Sequence, residues 1–507
     1  MFDYDDDFQS DDLSGKNLDD EIKRFRDQYK RKGQSIDPAE LSTNPDVLEQ
    51  LLMYCVEKEQ FEDALIFCNA LIALAPYSAE YYTKKGYVLH TLGKFDEALQ
   101  ELEQARLINP VDVDALSHTA LTLDALERRT EALHMVEQAL LIEPLNEDAL
   151  FAKANILQHS EHYAEAIKIF KFLTQSESYV SESWYELGYC HDFLGDYEAS
   201  LSAYNRHLET DPMNANAWYN CGVVYSKREQ FYRAIEQYDM SIALQQNFLA
   251  AHYNRANAYA AVGRMIEAVA GYKTALEYDK KDVPTLYNLG NAFQEVGRFH
   301  EAIESYTLAI QYNPAYSEAY FGRGACYDVM ERYSEAVDDY NRALHIKPDF
   351  ADVWYAKGDV YYNLQHFDEA IMCYRQSLVL HPEDAECRLD LADTLLEISD
   401  MLSAEQEYQA LIQVTPHWAE GYYGMAKIYA TQQKFMEAAM MIVKSITCDD
   451  EKEEQYKNDF RMSLSAISFF RLRALVNYLL DKQHSSAHHH THSVRFTPPP
   501  FSSESHE

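Results

Sequence analysis

Three asparagines, Asn220, Asn254 and Asn288, stand 34 residues apart, and each follows a tyrosine: Tyr219, Tyr253 and Tyr287. Asn257 and Asn291 lie three positions beyond the second and third of them. A primary amide offers one acceptor and two donors. That set matches the alternating C=O and N–H groups of an extended peptide. A ladder of such amides would hold a segment by its main chain without reading its side chains, and tyrosines beside it would add flat area and hydroxyls at low entropic cost. A second reading of the same residues is that they only satisfy helix surfaces and pack against the next unit. Either way, they must be carried by elements that repeat with the same period.

Those elements are legible in the prolines. Pro76, Pro110, Pro144, Pro212, Pro314, Pro348, Pro382 and Pro416 share the 34-residue spacing, and the missing beats fall at Ser178, Gln246 and Lys280. With proline at position 32, twelve units begin at residues 45, 79, 113, 147, 181, 215, 249, 283, 317, 351, 385 and 419. Such a period marks one supersecondary unit copied in tandem. Position 8 is small (Gly86, Gly188, Gly222, Gly290, Gly324, Gly358), and so is position 20 (Ala64, Ala98, Ala234, Ala302, Ala336, Ala370). The expectation is two helices whose backbones approach where both side chains are small. Aromatic residues at positions 4, 11, 17 and 24 have helical spacing. Gly93, Gly195, Gly263 and Gly297 at position 15 separate the two helices, and the proline ends the second.

The stretch from Trp218 through Gly222, Tyr225, Ala234 and Tyr238 resembles the tetratricopeptide repeat, as do Leu286 to Pro314 and Tyr320 to Pro348. The resemblance implies an all-α fold: antiparallel helix pairs stacked into a right-handed superhelical solenoid with a concave groove. The asparagine row is similar to the ladder in the repeat array of O-GlcNAc transferase, but the chain has no residues left over for a catalytic domain. Some tetratricopeptide domains hold a terminal carboxylate with groove lysines. Here position 5 is aromatic instead (Phe151, Tyr185, Tyr219, Tyr253, Tyr287, Phe321, Tyr355), so that ligand is not expected.

The formal net charge of −39 repels a phosphate backbone and disfavours anionic membranes. A basic partner segment fits better, and acids at position 2 (Glu80, Asp114, Asp148, Glu182, Glu318, Asp352, Glu386, Glu420) would favour it. The plainer reading of that row is the preference of a helix's first turn for acids. The numerous other carboxylates are read as solvated helix faces. The eight scattered cysteines form no CxxC pair, which points to free thiols in a reducing compartment, here the cytoplasm. No signal peptide or membrane span is legible.

Five segments are expected: an acidic disordered start over 1–16, a helix and linker over 17–44, the units over 45–452, capping helices over 453–483, and a disordered His-, Pro- and Ser-rich tail over 484–507. The tail's His488, His489, His490 and His492 are read as solvated rather than metal-binding. No phosphate-loop, nucleophile-elbow or zincin motif occurs. The sequence therefore points to a non-enzymatic scaffold or adaptor with no cofactor and no metal. It would bind a peptide through Tyr219, Asn220, Tyr253, Asn254, Asn257, Tyr287, Asn288 and Asn291. The alternative is a regulatory or targeting subunit that docks a separately encoded enzyme, and self-association through the array ends is a further expectation.

Overall fold

The structure is a computed structural model, and it describes residues 22, 23, 26, 27, 45–464 and 466–491. The expected disordered start over 1–16 and the tail beyond 491 lie outside the described residues. Two compact units follow one another, one ending at Ala258 and the other beginning at Tyr259.

In the first unit each repeat is a pair of helices, such as Ala79–Thr91 with Phe95–Ile108 and Ala215–Lys227 with Phe231–Leu244. The first helix starts where position 34 of the preceding repeat supplies an N-cap. Asp112 Oδ1 accepts from the amides of Asp114 and Ala115, and Asn146 and Asn214 act likewise. Losing such a cap costs ~1 kcal/mol. The proline's carbonyl is tied down from the next helix, where Trp218 Nε1 donates to Pro212 O at 2.9 Å. At Ser178, where the proline is missing, the preceding helix stops early, at Leu173. Ser176 Oγ there accepts from the amides of Ser178 and Tyr179.

The turn between the helices places position 15 in the left-handed region in every repeat. Gly93 and Gly195 have φ of 73° and 75°, but Glu59, Glu127, Glu161 and Glu229 take 56–62° without glycine's freedom. Ile22 is buried among Leu48, Leu51 and Phe67 of the first repeat, and Arg26 Nε donates to Asp63 Oδ1 at 2.7 Å.

The second unit repeats the pattern. Asp282 and Asp384 cap first helices, and Trp354 Nε1 donates to Pro348 O at 3.0 Å. Gly263 and Gly297 share the left-handed turn position with Glu331, Gln365, Ser399 and Gln433. Two further helices, Lys452–Ser463 and Ala466–Thr491, close it. Phe460, Phe469, Leu472 and Val476 bury the otherwise bare face of the last repeat against Tyr423, Ala438 and Ile442. The final helix runs to Thr491, so residues 484–491 continue it rather than opening the tail. Among the described residues no helix is long and apolar enough to cross a membrane, and no cluster of His, Cys, Asp and Glu could hold a metal ion.

Paired helices approach where both side chains are small, as expected: Ser200 Oγ donates to Gly188 O at 2.7 Å, and a Cβ on Gly324 would lie 3.4 Å from Ala336 O. A larger side chain joins them there. A Cβ on Gly358 would lie 2.5 Å from Cε1 of Tyr374, sixteen residues on. Gly188, Gly222, Gly290 and Gly324 face Tyr204, Tyr238, Tyr306 and Tyr340 in the same way. The alanines at position 20 are fully buried, but it is the position 24 ring that fills the hollow left by the glycine.

Candidate peptide-binding face

Within each unit, first helices touch the first helices of neighbouring repeats as well as their own partners. Positions 5, 6, 9 and 12 of those helices form one continuous face, and its polar groups bridge repeat to repeat.

In the first unit the bridges run from amide to hydroxyl. Asn220 Nδ2 donates to Tyr185 Oη at 3.0 Å, and Asn254 Nδ2 donates to Tyr219 Oη at 2.9 Å. Each bond spans one repeat and joins position 6 to position 5 of the repeat before it. The tyrosine rings are braced from below: Tyr185 against Tyr204 and His207, Tyr219 against Tyr238 and Phe248, with centroids 4.9–5.9 Å apart. Gln158 Nε2 makes a similar link to Glu186 Oε2 at 2.8 Å, and burial raises the Glu186 carboxyl's pKa. Tyr219, Asn220, Tyr253, Asn254 and Asn257 are all half-buried. One amide hydrogen each of Asn220 and Asn254 is thus committed within the protein, and each side chain still carries a second N–H and a carbonyl oxygen.

In the second unit Tyr287, Asn288 and Asn291 are also half-buried. Asn291 Oδ1 accepts from Tyr306 Oη at 2.6 Å, and Gln294 Oε1 accepts from the same hydroxyl at 3.1 Å. Further along, carboxylates take over these places and the donor changes sides. Tyr355 Oη donates to Asp390 Oδ2 at 2.6 Å, in the register of the Asn–Tyr bridges. Tyr374 donates to Asp359 Oδ1 at 2.8 Å, and Tyr408 donates to Asp393. Tyr423 donates to Asp459 at 2.6 Å.

These acids are not the solvated helix faces that the sequence suggested. Burial, followed by the charges of Asp390 and Asp328, pushes Asp359 up to about 7 against the pull of the Tyr374 hydrogen bond. Asp328, Asp390 and Asp393 are raised too, burial being the largest cause for each. Sequence reasoning missed Asp328, Asp359, Asp390 and Asp393 as members of this face. The available signal was the recurrence of Asn291, Asp359 and Asp393 at position 9, paired with a tyrosine at position 24.

Family models described as tetratricopeptide repeat match residues 79–112, 249–282, 283–316, 317–350 and 351–384, and one described as TPR repeat matches 194–228. A comparison with curated proteins returns no match. Among solved structures, YrrB, described as a TPR protein with an unusual peptide-binding site, is 25% identical. The likeness covers 35% of this chain and 92% of that one, at a TM-score of 0.33. The C-terminal part of a TPR repeat-containing protein from Cytophaga hutchinsonii is 18% identical over 48% of this chain and 99% of its own, with a TM-score of 0.42. The Cut9–Hcn1 hetero-tetramer of APC/C is 13% identical over 77% and 98%, with a TM-score of 0.38. Five of the matched segments begin at residues where the 34-residue frame begins a unit, and helix pairs fill that frame from end to end. The chain is a tetratricopeptide-repeat protein.

Proposed function

We propose that this chain is a protein-interaction scaffold that holds an extended segment of a partner protein along the face of its first helices. The observation that carries this reading is the row of half-buried amides and tyrosines at positions 5, 6 and 9, recurring in successive repeats within each unit. The bridges fix where each amide stands, which lowers the ordering cost when a ligand binds. The remaining N–H and C=O groups are of the type a peptide main chain can satisfy.

The test compares the full chain with two variants on an array of extended peptides. Asn220→Ala/Asn254→Ala/Asn288→Ala removes the amides. Tyr185→Phe/Tyr219→Phe breaks two bridges and leaves the amides in place. Direct recognition requires the first variant to lose peptide binding and the second to keep most of it. An unchanged profile for the asparagine variant would reject this row as the site.

A further inference from the structure

The last repeat breaks a pairing that its neighbours share. Tyr374 donates to Asp359 and Tyr408 to Asp393, in each case from position 24 to position 9 of one repeat. In the last repeat those positions hold Ile442 and Lys427. Ile442 is fully buried and has no hydroxyl to offer. Lys427 is half-buried, its ammonium lies 5.0 Å from the centroid of the Tyr423 ring, and among the described residues it has no ion pair. An ammonium carries three donors, and a ring face answers its charge without accepting all of them.

Lys427 lines a cavity of about 790 Å³ between this repeat, the turn of the repeat before it and the closing helices. Much of the wall is apolar: Leu396 and Met401 from the preceding repeat, Phe435 from the last one, and Phe460 and Leu464 from the closing segment. Asp459 lines the same cavity and accepts from Tyr423 Oη at 2.6 Å. An ammonium and a carboxylate are thus both set against one buried tyrosine ring, and a carboxylate keeps lone pairs after one such bond. A donor and an acceptor beside apolar walls match a peptide unit flanked by large apolar side chains. The volume lies within the range of about 300–1,000 Å³ in which cavities enclose a ligand, and exceeds what a single side chain would fill.

We propose that this cavity receives a short stretch of a partner protein that carries two large apolar side chains, with Lys427 donating to a main-chain carbonyl and Asp459 accepting a main-chain N–H. The inference rests on the reading that the face of first helices holds a partner segment, and it names an anchor of that segment. Lys427 stands at the same repeat position as Asp359 and Asp393, so the cavity lies where that face ends in the second unit. That continuity favours a chain segment over a free small molecule. In an extended segment, side chains two residues apart point the same way, which sets the spacing of the two anchors.

The probe is a fluorescein-labelled peptide, Ser-Gly-Phe-Gly-Leu-Gly-Ser, titrated with the full-length chain and read by fluorescence anisotropy. The same peptide with alanine for both anchors should bind at least about tenfold more weakly. Thr431 is exposed and lines the cavity, so Thr431→Trp should block it without disturbing the fold and weaken binding at least about tenfold. Thr447→Trp places the same ring at an exposed position of a second cavity, beside Tyr422 and Leu479, and should change binding less than about twofold. Lys427→Met keeps the stem and removes the donors; it should weaken binding severalfold, and Lys427→Arg should restore most of the loss. Thermal midpoints matching wild type show that the variants fold. Absence of binding to the wild-type chain, equal affinity for the alanine peptide, or equal losses in the two tryptophan variants would each overturn the proposal. The scaffold reading survives those results if arrayed peptides still bind in a manner that depends on Asn220, Asn254 and Asn288. Failure of every arrayed peptide would instead sink the scaffold reading itself.

Discussion

Tyr355 donates its hydroxyl hydrogen to Asp390 across the same 35-residue step at which Tyr219 accepts from Asn254. One geometric position in the repeat therefore carries a hydrogen bond of either polarity. The backbone frame fixes where two side chains meet, and the residue at position 6 decides which of them gives the proton. Asn254→Leu should leave the Tyr219 hydroxyl unsatisfied and half-buried, costing ~1–3 kcal/mol. Hydrogen exchange in the repeat that carries Tyr219 would register the loss. Protection equal to wild type would mean that the bridge contributes nothing to stacking.

Gly358→Ala is expected to destabilise by ~1–3 kcal/mol, because its Cβ would press on the Tyr374 ring at 2.5 Å. Gly358→Ala combined with Tyr374→Leu should recover part of that loss, since the shorter side chain vacates the hollow. Additive losses in a double-mutant cycle would show that the two residues do not share it.

Glu331 has φ of 56°, in the conformation that Gly297 adopts at the same turn position one repeat earlier. A side chain there carries a steric cost of ~1–2 kcal/mol. Glu331→Gly should therefore raise the thermal midpoint, and Gly297→Ala should lower it by a similar amount. A fall in the Glu331→Gly midpoint would indicate that chain entropy outweighs the relief of strain.

Asp359 gives the second unit a pH dependence with a definite sign. Its carboxyl titrates at about 7 in the folded chain against an ordinary value of 3.8. Between those values the folded state holds a proton that the unfolded state has released, so stability falls as pH rises through the window. The groups that face it are Asp328, Asp390, Tyr340, Tyr355, Tyr374 and Cys387. Asp359→Asn keeps an acceptor for Tyr374 and cannot ionise. Its thermal midpoint should match wild type near the acid end of the window and exceed it above the window, by an amount on the order of 1 kcal/mol or more. Equal midpoints at alkaline pH would refute the effect.

The repeat frame was written plainly in the chain because it depends on residues with few alternatives: proline after a helix, glycine in a turn, alanine between packed helices. Position 15 was legible only where it is glycine. Glu127, Glu331 and Ser399 adopt the same backbone because the helices on either side impose it, which no local propensity announces. The caps at Asp112, Asn146 and Asp282 are ordinary helix starts and carried a readable signal. The asparagine row was visible as a row, but the bonds of Asn220 and Asn254 to tyrosines of the preceding repeat depend on how repeats stack. The acids at Asp359 and Asp390 blended into a chain of −39 charge, where one more carboxylate looks like surface. Their burial comes from the tyrosines above and below them, a relation between elements rather than within one.

Seven of the eight cysteines are buried and one, Cys448, is exposed. Burial holds the thiols of Cys68, Cys190, Cys221, Cys326 and Cys387 up at about 12, far from the nucleophilic thiolate. An alkylating reagent at neutral pH thus meets a single prompt target, and each remaining sulfur becomes modifiable only when its own stretch of the array breathes. Mass spectrometry of timed alkylation would turn the native chain, without any engineered probe, into a record of where along its length the stack comes apart first.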